Sequence, residues 1–269
     1  MKIAFSERRP NYGSYVFPYH VWGFLEEGET IRNAYDQGFL PGNYDMSHFY
    51  LARSVRVQLE EFKPTGRTRY VERKCAHISI ELTERRSFDP HPYWEKLANA
   101  YFDSQAINRE YRRRRFFEML DSPLTTHSAL FYDTRTSDPV GLAPLFIQDG
   151  ITQYGIPIYD PSYRSVSIGN HMMAATLQAL RDKEVTHCYL GLCYDKGSLY
   201  KTRFPGMQFF NGQHWSSSRE ELHFIIENQH GMEEDHLLGW SEYVERFGEI
   251  NPSLLTISLN QSSPGTTTL

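Results

Sequence analysis

Apolar and polar positions along this chain change their spacing repeatedly, and each change predicts an element. From Glu29 to Phe39 the apolar residues Ile31, Ala34 and Tyr35 fall three and four apart, predicting a short amphipathic helix that closes at Gly38. From Ser54 to Phe62 they switch to every second place, at Val55, Val57 and Leu59, the spacing of a strand. With the aromatic, turn-rich stretch from Tyr12 to Phe24, these pieces read as a small α/β unit. Helical spacing returns from Pro92 to Met119, with Trp94, Leu97, Ala98, Tyr101 and Phe102 on one face. After the turn at Asp121-Ser122-Pro123, residues 127–133, 139–149 and 151–160 read as three strands joined by Asp/Thr/Ser and Asp-Gly turns, an antiparallel meander. A helix carrying Met172, Ala175, Leu177 and Leu180 follows Gly169, and a strand runs from Thr186 to Tyr194. The stretch from Leu199 to Trp215 reads as loop, with a turn at Asn211-Gly212. One or two helical segments, including 236–247, precede an end from Asn260 whose composition predicts a disordered tail.

Composition adds a few exclusions. At 269 residues, with 40% hydrophobic and 14% aromatic residues, the chain can bury a core without staples. Cys75, Cys188 and Cys193 stand in no metal-ligand or disulfide spacing, which fits a reducing cytoplasm. No apolar run reaches the roughly 18 residues of a membrane helix, and the first residues lack the apolar run of a signal peptide, so no membrane partner is expected. A formal net charge of -5 does not advertise a nucleic-acid binder. Local charge differs from that sum, because Arg109 and Arg112 to Arg115 form a dense basic run that reads equally as a solvated helix face or as an RNA contact.

Four short motifs then fall in one order over residues 156–215: Tyr159-Asp160-Pro161, Ser167-Ile168-Gly169, Tyr189-Leu190-Gly191, and Tyr200-Lys201 with Phe204, followed by Pro205 and by Gly212 to Trp215. In the first part stand Gln37-Gly38-Phe39, Ser54-Val55-Arg56-Val57, and Phe62-Lys63-Pro64 followed by Arg67 and Arg69. Together these resemble the aminoacyl-tRNA protein transferases, the leucyl and arginyl transferases of the N-degron pathway, over most of residues 12–215. The resemblance implies an α+β fold with a small N-terminal α/β subdomain at 1–85. It further implies a GNAT-like acyltransferase domain at 86–215 with a mixed, mostly antiparallel sheet, and leaves an extension at 216–269. In such a sheet a parallel pair of strands splays apart to admit the acyl donor.

The departures are specific. Where the family carries cysteines, in several members around a metal cluster, this chain has Ser14, His48, Phe49 and Tyr50, so no thiolate cluster is expected there. The family's Lys-Met before its Tyr-Lys falls on Gly197-Ser198, leaving Lys196 as a displaced cation.

The implied reaction is attack of a polypeptide's N-terminal amine on the ester of an aminoacyl-tRNA. That ester is already activated, so positioning and oxyanion donors suffice and no cofactor, metal or enzyme nucleophile is needed. By resemblance, Tyr200 is the phenol that donates to the leaving oxygen and Lys201 the cation beside it, these two being the catalytic candidates. Tyr159, Asp160, Tyr189 and Gly191 shape the substrate pocket. Ser167 and Gly169 open the helix whose free amides receive an anion, although an ordinary N-cap serine explains the same residues. Arg53, Arg56, Arg67 and Arg69 are candidates for recognising an acidic acceptor. His20, His48 and His77 lack ligand-like spacing and read as structural. Two other functions remain open. One is an acyl-CoA-dependent N-acyltransferase, against which Tyr163 to Asn170 supplies only Gly169 for a pyrophosphate turn. The other is a non-catalytic relative that binds N-termini or tRNA.

Overall fold

A computed structural model describes residues 1–8, 13, 18–85, 92–105, 108–228 and 240–248. Ser14 and the predicted tail lie outside these residues. The chain divides into two compact units, Met1–Ser6 with Tyr19–Ser218, and Glu7–Pro18 with Arg219–Leu269.

The first unit begins with β1 (Lys2–Glu7), β2 (Tyr19–Phe24), α1 (Ile31–Asp36), β3 (Phe39–Pro41) and β4 (Phe49–Leu51), whose strands form a small sheet in the order β1-β2-β4-β3. The Asn33 side chain accepts from the Thr30 amide at 2.7 Å, which starts α1. Gly38, at φ +84°, ends the turn that follows it. His48 lies edge-on to Trp22 with ring centroids 5.2 Å apart, a packing role.

The large sheet is built from β5 (Ser54–Gln58), β6 (Ile78–Glu84), β7 (His127–Asp133), β8 (Pro139–Gln148), β9 (Ile151–Tyr154), β10 (Ile158–Tyr159), β11 (His187–Leu192), β12 (Met207–Phe210) and β13 (Trp215–Ser216). Its order is β13-β12-β5-β11-β9-β8-β7-β6, with β10 paired to β8. Strands β5 and β6, from the first 85 residues, thus pair with strands from beyond them. Among the described residues every strand pairing in this sheet is antiparallel except β9 with β11. The connection from β9 to β11 runs through α5 (Ile168–Arg181). Together these features make the sheet GNAT-like.

The helices α2 (Gly66–Lys74), α3 (Pro92–Asp103) and α4 (Arg109–Leu120) complete this unit. Trp94, Leu97, Tyr101 and Phe102 of α3 and Phe116 of α4 pack on Leu130, Leu142 and Ile158 of the sheet. Phe131 and Gly141 are adjacent to Leu130 and Leu142 and point the opposite way, and there they meet His171 and Met172 of α5. The sheet is therefore covered on both faces. In the second unit, α6 (Arg219–Asn228) and α7 (Ser241–Phe247) meet through Phe224 with Tyr243 and Phe247, and through Tyr243, whose hydroxyl donates to the buried Glu221 at 2.7 Å. No helix among the described residues is long and apolar enough to cross a membrane.

Three local expectations need correction. The single helical pattern over 92–119 is two helices, because Asn108 adopts the left-handed conformation at φ +53° and restarts the chain as α4. The strand expected over 151–160 is two, because the Gly155 amide donates to the Pro144 carbonyl and turns the chain, so that β10 pairs back onto β8. The loop expected from 199 to 215 contains the β12–β13 hairpin around Gly212, an edge too short for periodicity to register.

Gly38 and Gly28 make a matched test of packing. Both sit at φ +84°, but a Cβ on Gly38 would enter the Phe210 ring, whereas Gly28 has open space around it. Gly28→Ala is expected to cost about 1 kcal/mol and Gly38→Ala about 3 kcal/mol, strain and overpacking together. Urea midpoints of the two variants measure the difference, and equal losses would refute the packing role of Phe210.

Candidate functional site

The site begins where backbone pairing stops. Ile151, Thr152 and Gln153 pair in parallel with His187, Cys188 and Tyr189, and then the two strands part. Strand β11 continues along β5 instead, through a register shift between Tyr189 and Gly191, whose φ is +83°. Tyr101 of α3, Tyr159 of β10, Ser167 and Gly169 at the start of α5, and Tyr200 of the 3-10 turn Lys196–Arg203 face one another. They line a cleft of about 320 Å³.

One wall is anchored by a buried carboxylate. Asp133 is fully buried and accepts from Arg135 Nε at 2.9 Å and from Tyr163 Oη at 2.8 Å. Hydrogen bonding from Arg135 holds its carboxyl well below the usual carboxylate range. Tyr163 lies in the 3-10 turn Pro161–Val166, which Asp160 opens by accepting from the Ser162 amide at 2.9 Å. Arg164 in the same turn donates to Ser104 Oγ at 2.9 Å, across to the end of α3. The turn hands over to α5 at Ser167, which is left-handed (φ +64°) and makes no side-chain cap hydrogen bond, unlike an ordinary N-cap serine. The Ser167 carbonyl accepts from Asn170 and His171, while the Ile168 and Gly169 amides have no protein partner among the described residues. A Cβ on Gly169 would lie 3.2 Å from the Tyr159 ring, so glycine is what lets that ring close against the helix start. Free amides at the positive end of a helix favour an anion.

Two cleft phenols share the influence of one guanidinium. Burial raises the pKa of Tyr101 and of Tyr200 above the ordinary value, and the positive charge of Arg112 of α4 lowers each by less. Tyr200 therefore stays protonated at neutral pH, with 38% of its surface open. Most other arginines of the basic run are engaged locally: Arg113 with Asp103 at 2.5 Å, Arg114 with Glu118 at 3.6 Å, and Arg115 over the Tyr44 ring at 4.1 Å.

The remaining candidates are placed elsewhere. Lys201 Nζ donates to the Leu192 carbonyl at 2.7 Å and lines neither this cleft nor the cavity beside it, and burial lowers its pKa. Gly191 lies next to that ammonium. Tyr189 and Arg56 belong to a network on the exposed Asp36: Arg56 donates to Asp36 at 3.2 Å and to Gln208 at 2.8 Å, Tyr189 donates to Asp36 at 3.0 Å, and the Trp215 ring lies 4.0 Å from the Arg56 guanidinium. Arg53 donates to the Cys193 carbonyl at 2.8 Å and stacks on Tyr194. Arg69 donates to the Pro64 carbonyl at 2.8 Å. Arg67 lines a second, small cavity of about 30 Å³ with Arg203, and this cavity meets the first at Asn170 and Tyr200. Among the described residues no group of His, Cys, Asp and Glu could hold a metal ion, and the three cysteines are buried free thiols. Sequence reading passed over Tyr101, Arg112, Arg164, Asn170 and Arg203. Arg164 and Asn170 flank the Ser-x-Gly motif, and Arg112 lies in the basic run, but only the fold shows which arginine of that run turns to the cleft.

No protein-family model and no curated protein matches the chain. Solved structures that resemble it include the C-terminal domain of an Agrobacterium fabrum protein named for lysylphosphatidylglycerol synthetase, at 11% identity and TM-score 0.40 over 61% of this chain and 51% of that one. Others are L-PGS from Bacillus licheniformis (12%, TM-score 0.36, 65% of this chain and 55% of that) and a tandem GNAT protein from the clavulanic acid biosynthesis pathway (11%, TM-score 0.37, 71% and 61%). The chain thus spans between half and two thirds of their lengths. These likenesses are too distant to carry the fold assignment, which rests on the strand order and the parted pair.

Asp133 generates a prediction with a defined sign. Its carboxyl pKa is depressed in the folded state, so its stabilisation is present above the unfolded value of about 3.9 and is lost as pH falls toward the folded value. Asp133→Asn is expected to melt below wild type at pH 7, and the gap should narrow between about pH 4 and pH 2. Thermal melts across that range check it, and a gap that stays constant would refute the assignment.

Proposed function

We propose that this chain is an acyltransferase of the GNAT-like fold that moves an aminoacyl group from charged tRNA to the N-terminal amine of a protein or peptide. The observation that carries the reading is the cleft at the parted strands, where the free Ile168 and Gly169 amides and Arg164 stand on one side and the protonated phenol of Tyr200 on the other. An anionic donor end fits the amides and the arginines, and its ester is brought beside a proton donor. The cytoplasm, where charged tRNA is found, is the compartment this reading implies.

In this mechanism the neutral amine attacks the ester carbonyl and the electrons of the carbonyl move onto its oxygen. As that oxygen's lone pair re-forms the double bond, the ribose oxygen leaves with the proton of Tyr200, and the ammonium formed on the acceptor gives up its proton, by way of solvent, to the Tyr200 phenolate, which restores the phenol. Lys201 acts in this reading as a positioning cation, tying the turn that carries Tyr200 to the end of β11. The cavity with Arg67 and Arg203 meets the cleft at Tyr200, and there the acceptor's acidic side chain would pair with two guanidiniums. An acyl-CoA donor is less well served, because the turn before α5 offers one glycine and two free amides to a pyrophosphate.

The test is transfer of radiolabelled amino acids from a full pool of charged tRNA onto peptides beginning with Asp, Glu, Arg, Lys or Ala, with acetyl-CoA in parallel. RNase-sensitive label on one peptide class is expected, and label from acetyl-CoA alone would replace the donor. Tyr200→Phe should lower kcat about 100-fold, the size of a lost general acid, and Lys201→Ala should lower transfer while leaving the fold intact.

A further inference from the structure

Tyr154 is the last residue of β9, one place beyond the final parallel pair with β11. Its side chain is 4% exposed, its hydroxyl is enclosed, and that hydroxyl has no hydrogen-bond partner among the described residues. A buried hydroxyl left unpaired is destabilising, whereas phenylalanine would fill the same space without that loss. An orphan of this kind points to a partner that arrives with a ligand.

Its surroundings say which ligand. The phenol lies near Tyr200 and Tyr101, both of which line the cleft, and near Cys188 on β11. Burial keeps it neutral, so it is a hydrogen-bond donor throughout the working pH range. The orphan thus stands where the parallel ladder of β9 and β11 ends, and Tyr200 of the cleft is one of its neighbours. An ester carries two oxygens on one carbon, and two neighbouring phenols match them: Tyr200 the ester oxygen, Tyr154 the carbonyl oxygen.

We propose that Tyr154 is a further substrate-contacting residue, whose phenol donates a hydrogen bond to the carbonyl oxygen of the acyl group lodged at the parted strands. A rotamer change of Tyr200, the more open of its two phenol neighbours, gives that oxygen access. As the amine adds, negative charge collects on the carbonyl oxygen and the hydrogen bond strengthens. When the tetrahedral intermediate collapses, the double bond returns and Tyr154 keeps its proton. This rests on the acyl-transfer reading, but not on whether the donor is tRNA or coenzyme A.

The variant Tyr154→Phe separates the roles. We expect it to melt at or above the wild-type temperature, because an orphan hydroxyl is removed, while kcat falls about 100- to 1,000-fold, as for a lost oxyanion donor, and KM for the acceptor peptide is unchanged. An active wild type with a Tyr154→Phe variant of equal kcat overturns the inference alone. A variant that loses stability or fails to fold assigns the hydroxyl to the structure and also overturns it. A wild type that transfers from neither charged tRNA nor acetyl-CoA overturns the acyl-transfer reading, and the role of Tyr154 with it.

Discussion

A strand can leave one neighbour without unfolding only if its other edge is held. That constraint governs β11. Its parallel ladder to β9 ends after three residue pairs, yet its amides and carbonyls continue to be satisfied by β5, which runs antiparallel to it from Gln58 to Ser54. The cleft therefore depends on a strand from the first 60 residues as much as on the helix and strands around it. The Arg56, Asp36, Tyr189 and Trp215 network binds the same strands through their side chains, with the guanidinium donating to Gln208, Asp36 and Tyr189. That is a physical reason for an arginine in the middle of a buried strand, where an unpaired charge would be prohibitive.

Within the cleft, charge and burial divide the labour. Cationic groups and helix amides collect at the α5 side, where nothing in the described protein neutralises the free amides. The phenols opposite are raised above their ordinary pKa by burial, and Arg112 only partly offsets this. The site thus offers fixed positive potential for binding and neutral O–H groups for proton chemistry, with no thiol or metal involved in the steps described.

Much of this was legible in the residues. Apolar spacing located α1, β5 and α5, and turn signals on either side bounded β7 and β8. The ends and interruptions were not legible: Asn108 and Gly155 act through single backbone conformations that leave the apolar period on either side unchanged. Alternation in β5 implied a half-buried strand, but its polar residues Ser54 and Arg56 are buried as well, since partners far away in the sequence cover them. In the site, Tyr159, Ser167, Gly169 and Tyr200 were reached through their motifs and do meet in one cleft. Motifs gave no sign that Lys201 turns toward the Leu192 carbonyl, nor that Arg112 alone of its run faces the phenols, because side-chain direction depends on the packing of whole elements.

The pairing of Val57 with Cys188 also sets an order of events during folding. Such a contact must close a very long loop, and the entropy of doing so is recovered only when the intervening meander and α5 have already drawn the ends together. A chain emerging from a ribosome exposes β5 long before its partner exists. The edge of β5 must wait, and no binding site can exist in any nascent chain that stops short of β11. The cleft thus forms only once the sheet around it is complete.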